Sequence, residues 1–430
     1  MSGARIACFA TLARLLCAAM LACALGSCAR HEEGPVTLRF WAMGREGEVV
    51  RELLDDFERS HPNIRVEVQQ LPWTAAQEKL LTAFAGDVTP DICQLGNTWI
   101  AQFAALGAIT PLDAYVRAGR VDAPDYFAGI WESNRIGASL YGVPWYVDTR
   151  LIYYRQDLLK AAGFAHAPVD WAEWARVMAV LKKKDPKTFG VLLPLNEFEP
   201  LLALALQQDA PLLREGGRYG NFRSPEFRRT LQYYADIFKN GWAPPVTATA
   251  ISNVWDEFAN GYYAFYISGP WNLGEFRRRL PADKQGIWMT APLPGPSGPG
   301  ASSAGGASLV VFERSRHKAE AWQVIEYLSQ PAVQQRFYQM TGNLPPRRSA
   351  WADPKLASDV HAAAFRDQLE RAKSPPKVPE WERVATEMRI VTEKLVGGRV
   401  TVDQAVTELD ERADRILEKR RWMLQQKGAL

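Results

Sequence analysis

The sequence predicts an exported α/β protein in which strands alternate with helices around a largely parallel sheet. Three observations lead there. Strand-like and helix-like runs alternate from Val36 onward at the spacing of strand–helix units. Residues 1–27 are basic and then apolar, unlike the rest of the chain. With 430 residues, 47% hydrophobic and 23% charged, the chain has enough apolar material for two or three buried cores.

The amino terminus reads as an address. Arg5 supplies a positive start, and Leu15 to Leu25 is apolar but too short to span a bilayer, as in a secretory signal. Leu25-Gly26-Ser27-Cys28 resembles a lipobox, in which cleavage precedes a cysteine that becomes acylated. Cleavage after Ala22-Cys23-Ala24 is the alternative and would leave no lipid. Residues 28–35 are then a short tether. If Cys28 is acylated, Cys93 is the one cysteine left in the mature chain, so no intrachain disulfide can form. Cys93 lies in the apolar run Asp91–Leu95 and reads as a small buried hydrophobe. Losing Arg5 and Arg14 with the signal leaves 49 basic against 48 acidic residues. Such a balance does not suit nucleic acid, and no apolar run reaches the ~18 residues that a membrane span needs.

Val36–Met43 (VTLRFWAM) reads as a strand, and Gly44–Gly47 as a turn. Val49, Val50, Leu53, Leu54 and Phe57 then recur at helical spacing until Pro62. Ile64, Val66 and Val68 alternate as a strand. Thr74 with Gln77 fits a capping box opening a helix that Gly86 and Pro90 close, and Ile92–Leu95 is a strand again. Further on, Asp170–Lys184 and Pro225–Lys239 read as helices, and Tyr262–Ile267 as a short aromatic strand. Pro292–Gly306 is a Pro/Gly/Ser-rich loop, Leu309–Phe312 a buried strand, and Ala319–Leu328 a helix ended by Pro331. A last capping box, Thr401 with Gln404, opens a helix with one apolar face.

Catalytic signatures are missing. There is no phosphate loop, no strand-associated G-x-G-x-x-G and no G-x-S-x-G. The five histidines lie far apart, and none has zinc spacing, so neither a metal nor a cofactor is expected. Glu197-Phe198-Glu199 reads as surface or ligand-contacting acids rather than as a glycosidase pair. What remains is an excess of large rings: 15 Trp, 14 Tyr and 18 Phe. Three turn-like segments are singled out: Val143–Thr149 and Ser268–Asn272 set rings beside polar groups, and Asn343–Arg347 supplies polar groups beside prolines. Sugars need this mixture, with rings for their C–H faces and polar groups for their hydroxyl edges. Packing in a core would explain the rings equally well.

Several stretches carry a family resemblance: DDFERSHPNIRVEV, TPDICQLGNTWIAQFAALGAITPLD, YGVPWYVDTRLIYYRQDLL, YYAFYISGPWN, GGASLVVF and TGNLPPRRSAW. In this order they resemble the extracellular solute-binding proteins of ABC sugar importers, the maltose- and trehalose-binding group. The resemblance implies an α/β fold of two lobes around a cleft (type II-like, three crossovers). Lobe one would comprise 36–144 plus 308–340, and lobe two 149–304 plus 347–430. The hinge crossings would be 145–148, 305–307 and 341–346, and a ligand would shift an open–closed equilibrium.

The resemblance also implies site residues. Glu46 would accept sugar hydroxyls, and Asn97 stands where many relatives have Asp before Trp99. Tyr146 and Asp148 occupy the first crossing, and Trp271 matches a platform aromatic. Gly305 and Gly306 match a turn beside the cleft, where Ala307 replaces a Trp of some relatives. Arg347 matches an L-P-x-R arginine. Trp73, Gln77, Trp145 and Phe198 are weaker candidates, and Trp99 and Trp322 are assigned to the core. The implied protein is a monomeric, membrane-anchored lipoprotein, periplasmic or at the cell surface. It is not an enzyme and hands a disaccharide, trehalose or maltose, to an ABC permease and its ATPase. The rivals are an exported glycoside hydrolase and a binding protein for a non-sugar such as a polyol phosphate.

Overall fold

The computed structural model describes residues 34–426. The expected signal sequence and the expected acylation at Cys28 therefore lie outside the described residues.

Two mixed sheets, each covered by helices, form the frame. The first sheet runs, edge to edge, Ile64–Leu71, Val36–Met43, Ile92–Gly96, Gly305–Val311 and Val143–Asp148. Its three N-terminal strands are parallel, joined by helices Gly44–Ser60 and Trp73–Ala85. Gly305–Val311 then pairs antiparallel with strands on both sides, so the sheet is mixed rather than largely parallel. The period of two along Val36–Met43 sends Leu38, Phe40 and Ala42 into one cluster and Trp41 and Met43 into another. Both faces are covered, which is why the strand reads as nearly continuous apolar sequence.

The second sheet runs Trp288–Ala291, Leu151–Arg155, Tyr263–Ser268 and Phe189–Leu192. Ile152, Phe265 and Ile267 face a helical core with Trp174, Trp381 and Leu409, whereas Leu151 and Tyr153 face one with Phe276 and Phe365. The C-terminal helices Trp381–Val396 and Val402–Ile416 thus complete the second half, with Thr401 and Gln404 forming the reciprocal cap.

The chain passes from the first sheet to the second between Asp148 and Leu151 and returns between Ala291 and Gly305. Residues 145–148 and 305–307 lie within paired strands, Gly305 opposite Asp148 and Gly306 opposite Val147. Leu344 joins them by accepting the Val147 N–H at 3.0 Å. Gly306 needs its identity here: its φ is +114°, and a Cβ would lie 2.3 Å from the Tyr146 carbonyl oxygen. Phe127 and Ile130, numbered with the expected first lobe, pack in the Leu151–Phe365 cluster instead.

Some local expectations are corrected. Gly44–Gly47 is the first turn of a helix rather than a loop, so Glu46 sits on that helix. Thr74 caps nothing, because its helix already begins at Trp73 after Pro72. Pro331 does not merely end a helix; it is the first residue of the next, Pro331–Thr341. Gly305 belongs to a strand that begins four residues before the expected Leu309.

Candidate functional site

Between the two sheets lies a cavity of about 530 Å³. Its walls come from strand ends of the first sheet, from helices that begin near Glu46, Trp73, Glu199, Trp271 and Glu382, and from the residues that join the two sheets. Of the residues singled out from sequence, Glu46, Asn97, Tyr146, Asp148, Phe198, Trp271, Gly305 and Gly306 line it. Trp73 lines it as well, and so does Trp99, contrary to the expectation that it is core; the two rings meet edge to face at 5.7 Å.

Three expected residues are elsewhere. Arg347 is buried in an ion pair with Asp125 at 2.6 Å, and its Nη1 donates to the Ser329 carbonyl at 2.9 Å. Trp145 is only 1% exposed and stacks on Phe337 at 4.5 Å, so it is core. Gln77 donates to the Gln102 side chain at 2.9 Å, outside the cavity lining. The cavity's cation is instead Arg150, two residues past Asp148.

Arg150 organises one wall. Its guanidinium lies 3.7 Å from Asp148, 3.8 Å from Glu199 and 4.6 Å from the centre of the Trp271 ring. Asp148 Oδ1 is buried with no hydrogen-bond partner, since 3.7 Å exceeds hydrogen-bond range. Trp271 opens the helix Trp271–Arg279 and is 37% exposed. Its ring packs so closely on Gly269 that a Cβ there would lie 1.9 Å from it. Glycine is therefore what lets the indole lie flat along this wall.

The opposite wall is a hydrogen-bonded chain. Gln94 accepts from the Met43 N–H at 2.7 Å and donates to the Tyr146 hydroxyl at 3.1 Å. Asn343 donates to the Glu46 carboxylate at 2.5 Å, and Tyr146 and Trp73 lie beside it on the same wall. Asn97 makes three bonds: it donates to Ser133 at 3.0 Å and to the Gly305 carbonyl at 3.3 Å, and accepts from Ser308 at 2.9 Å. An aspartate could not donate these bonds, so the amide at this position holds the Gly305 strand.

Burial pushes the carboxyls of Glu46, Asp148, Glu197 and Glu382 above their ordinary values. For Asp148, Arg150 opposes the rise and Glu199 adds to it. Acids thus outnumber the one lining cation, and they are dispersed: among the described residues no three His, Cys, Asp or Glu are grouped to hold a metal. Dispersed acceptors beside flat rings suit a neutral ligand with hydroxyl edges and apolar faces.

Sequence reasoning missed Arg150 and Glu382, and it singled out the Asn343–Arg347 segment without giving Asn343 a role at the site. Arg150 was within reach, in the same Trp145–Arg150 segment that supplied Asp148. Glu382 gave no local signal, because only the fold carries helix Trp381–Val396 to the cavity.

Comparison with known proteins agrees with this geometry. The family described as bacterial extracellular solute-binding protein matches residues 43–335. A solved structure of the sugar-binding protein MalE from Xanthomonas citri is 57% identical, with a TM-score of 0.89, covering 91% of this chain and all of that one. A putative binding protein of Brucella abortus is 26% identical over 406 residues, 92% of this chain and 96% of its own. An uncharacterized lipoprotein of Streptomyces antibioticus is 28% identical over 375 residues, 82% of each chain.

Proposed function

The chain belongs to the bacterial extracellular solute-binding protein family, and we propose that it captures an α-glucosidic disaccharide, trehalose or maltose, for an ABC importer. The observation that carries this reading is the Asp148–Arg150–Trp271 wall. The Asp148 carboxylate lines the cavity beside a half-exposed indole, and its Oδ1 has no hydrogen-bond partner. A hydroxyl would satisfy the oxygen, and the C–H face of a hexose would cover the ring. The likeness to the Xanthomonas citri sugar-binding protein supports the same class of ligand.

Closure would turn on the three adjacent crossings at 145–148, 305–307 and 341–346, bringing both walls onto the ligand. The protein would be exported and held at the membrane through acylated Cys28, and would act as a monomer that hands its ligand to a permease. It would leave the sugar unchanged. A phosphate-bearing solute fits less well, because Arg150 is already shared by Asp148 and Glu199 and the other lining charges are acids.

The test is mass spectrometry of the protein after incubation with an equimolar mixture of trehalose, maltose, sucrose, maltotriose and glycerol 3-phosphate. An intact disaccharide should be retained. Retention of glycerol 3-phosphate, or release of free glucose, would reject the reading.

A further inference from the structure

At one end the cavity stops abruptly. Asn97, Thr98, Ala304 and Pro375 line both the 530 Å³ cavity and a gap of about 10 Å³ beyond it, which continues along Ala101, Ser133 and Ile136. A gap of that size holds at most about one water. What narrows the passage is the irregular segment Ser374-Pro375-Pro376-Lys377, which lies across it with Pro375 buried.

The segment is held at several points. The Ala304 N–H donates to the Lys373 carbonyl at 2.8 Å, and Ala372 and Lys373 pair with Ser302 and Ser303. On the other side, Ser374 Oγ donates to the Gly129 carbonyl at 3.2 Å and Lys377 Nζ to the Glu132 carbonyl at 3.0 Å. Gly129 lies so near that a Cβ there would be 2.1 Å from the Ala372 oxygen. Two successive prolines have fixed φ, so the segment resists bending out of the way.

We infer that the Ser374–Lys377 strap is a length stop: it closes the Asn97–Ser133–Ile136 end of the cavity and restricts the ligand to short oligosaccharides. This rests on the reading of the cavity as a sugar site. Pro375 is then the specificity-determining residue, because it stands where a further sugar unit would enter. The strap also joins the segment leading into Gly305 to the helix Ala128–Glu132.

The test compares wild type with a Pro375→Gly/Lys377→Ala variant by calorimetric titration of trehalose, maltose, maltotriose and maltotetraose. Wild type should bind its preferred disaccharide at least about tenfold more tightly than maltotetraose. In the variant that preference should shrink by about tenfold, with the disaccharide still bound. Lys377→Ala alone changes an exposed side chain, keeps the fold, and should move the preference the same way by a smaller factor. Wild type binding maltotetraose as tightly as the disaccharide would overturn the length stop. So would an unchanged preference in both variants. Wild type binding none of the four sugars would instead remove the sugar reading itself, and the length stop with it.

Discussion

Arg150→Met keeps most of the apolar stem and removes the charge. Asp148 and Glu199, at 3.7 and 3.8 Å, would lose their shared cation, and the Trp271 ring its covering guanidinium. At such a distance and an effective dielectric of about 20, a unit pair attracts by roughly 4 kcal/mol. The cost of burying the guanidinium offsets part of this, leaving an expected loss of about 2–3 kcal/mol in stability. The pH dependence carries the sign. Burial already raises the Asp148 carboxyl above its ordinary value, with Arg150 holding it down, so the substitution raises it further. A carboxyl raised in the folded state favours folding only when protonated, and that contribution disappears as pH rises through its folded value. The variant should therefore melt well below wild type at neutral pH, and the gap should narrow toward about pH 4. Thermal melts across pH, with calorimetry at neutral pH, read both effects. Affinity for the disaccharide should fall about ten- to a hundredfold. A melting gap independent of pH, or unchanged affinity, would refute the electrostatic role given to Arg150.

Trp271→Ala should lower sugar affinity by about tenfold through lost ring contact, and melt within a few degrees of wild type because the ring is half exposed. A large fall in melting temperature with affinity preserved would place the ring in the core. Arg347→Ala should do the opposite, costing about 1–3 kcal/mol in chemical denaturation because Asp125 and the Ser329 carbonyl lose their shared donor while Ser349 still bonds Asp125, with affinity largely kept; lost affinity without lost stability would contradict this. Gly306→Ala should cost at least about 1–3 kcal/mol, since it combines positive φ with a Cβ against the Tyr146 carbonyl; an unchanged melting curve would contradict that geometry. Cys28→Ala should move the protein from the membrane to the soluble fraction with sugar binding intact, and equal partitioning of both proteins would sink the anchoring proposal.

The features legible in the sequence were those set by local chemistry. Pro225–Lys239 has its predicted bounds because Ser224 caps one end and Asn240-Gly241 stops the other. Thr401 and Gln404 cap as expected, since both partners lie within one turn. Thr74 and Gln77 have the same spacing and fail, because the helix had already begun one residue earlier. At the cavity, Asp148 and Trp271 follow from turn-associated motifs, whereas the cation there is Arg150 and not the expected Arg347. Both are arginines beside a crossing. Only the fold shows that Asp125, 222 positions away, draws Arg347 into a buried pair while Arg150 turns to the cavity. Trp145 failed for a related reason: in a strand covered on both faces, every ring reads alike.

The central claim is that the cavity between the two sheets binds a neutral disaccharide. Calorimetric titration of the purified mature protein with trehalose, maltose, sucrose, maltotriose and glycerol 3-phosphate tests it most directly. Saturable one-to-one binding of trehalose or maltose, weakened by Asp148→Asn and absent for glycerol 3-phosphate, is the predicted result. Tightest binding of glycerol 3-phosphate, no binding of either disaccharide, or disaccharide binding indifferent to Asp148→Asn would contradict it.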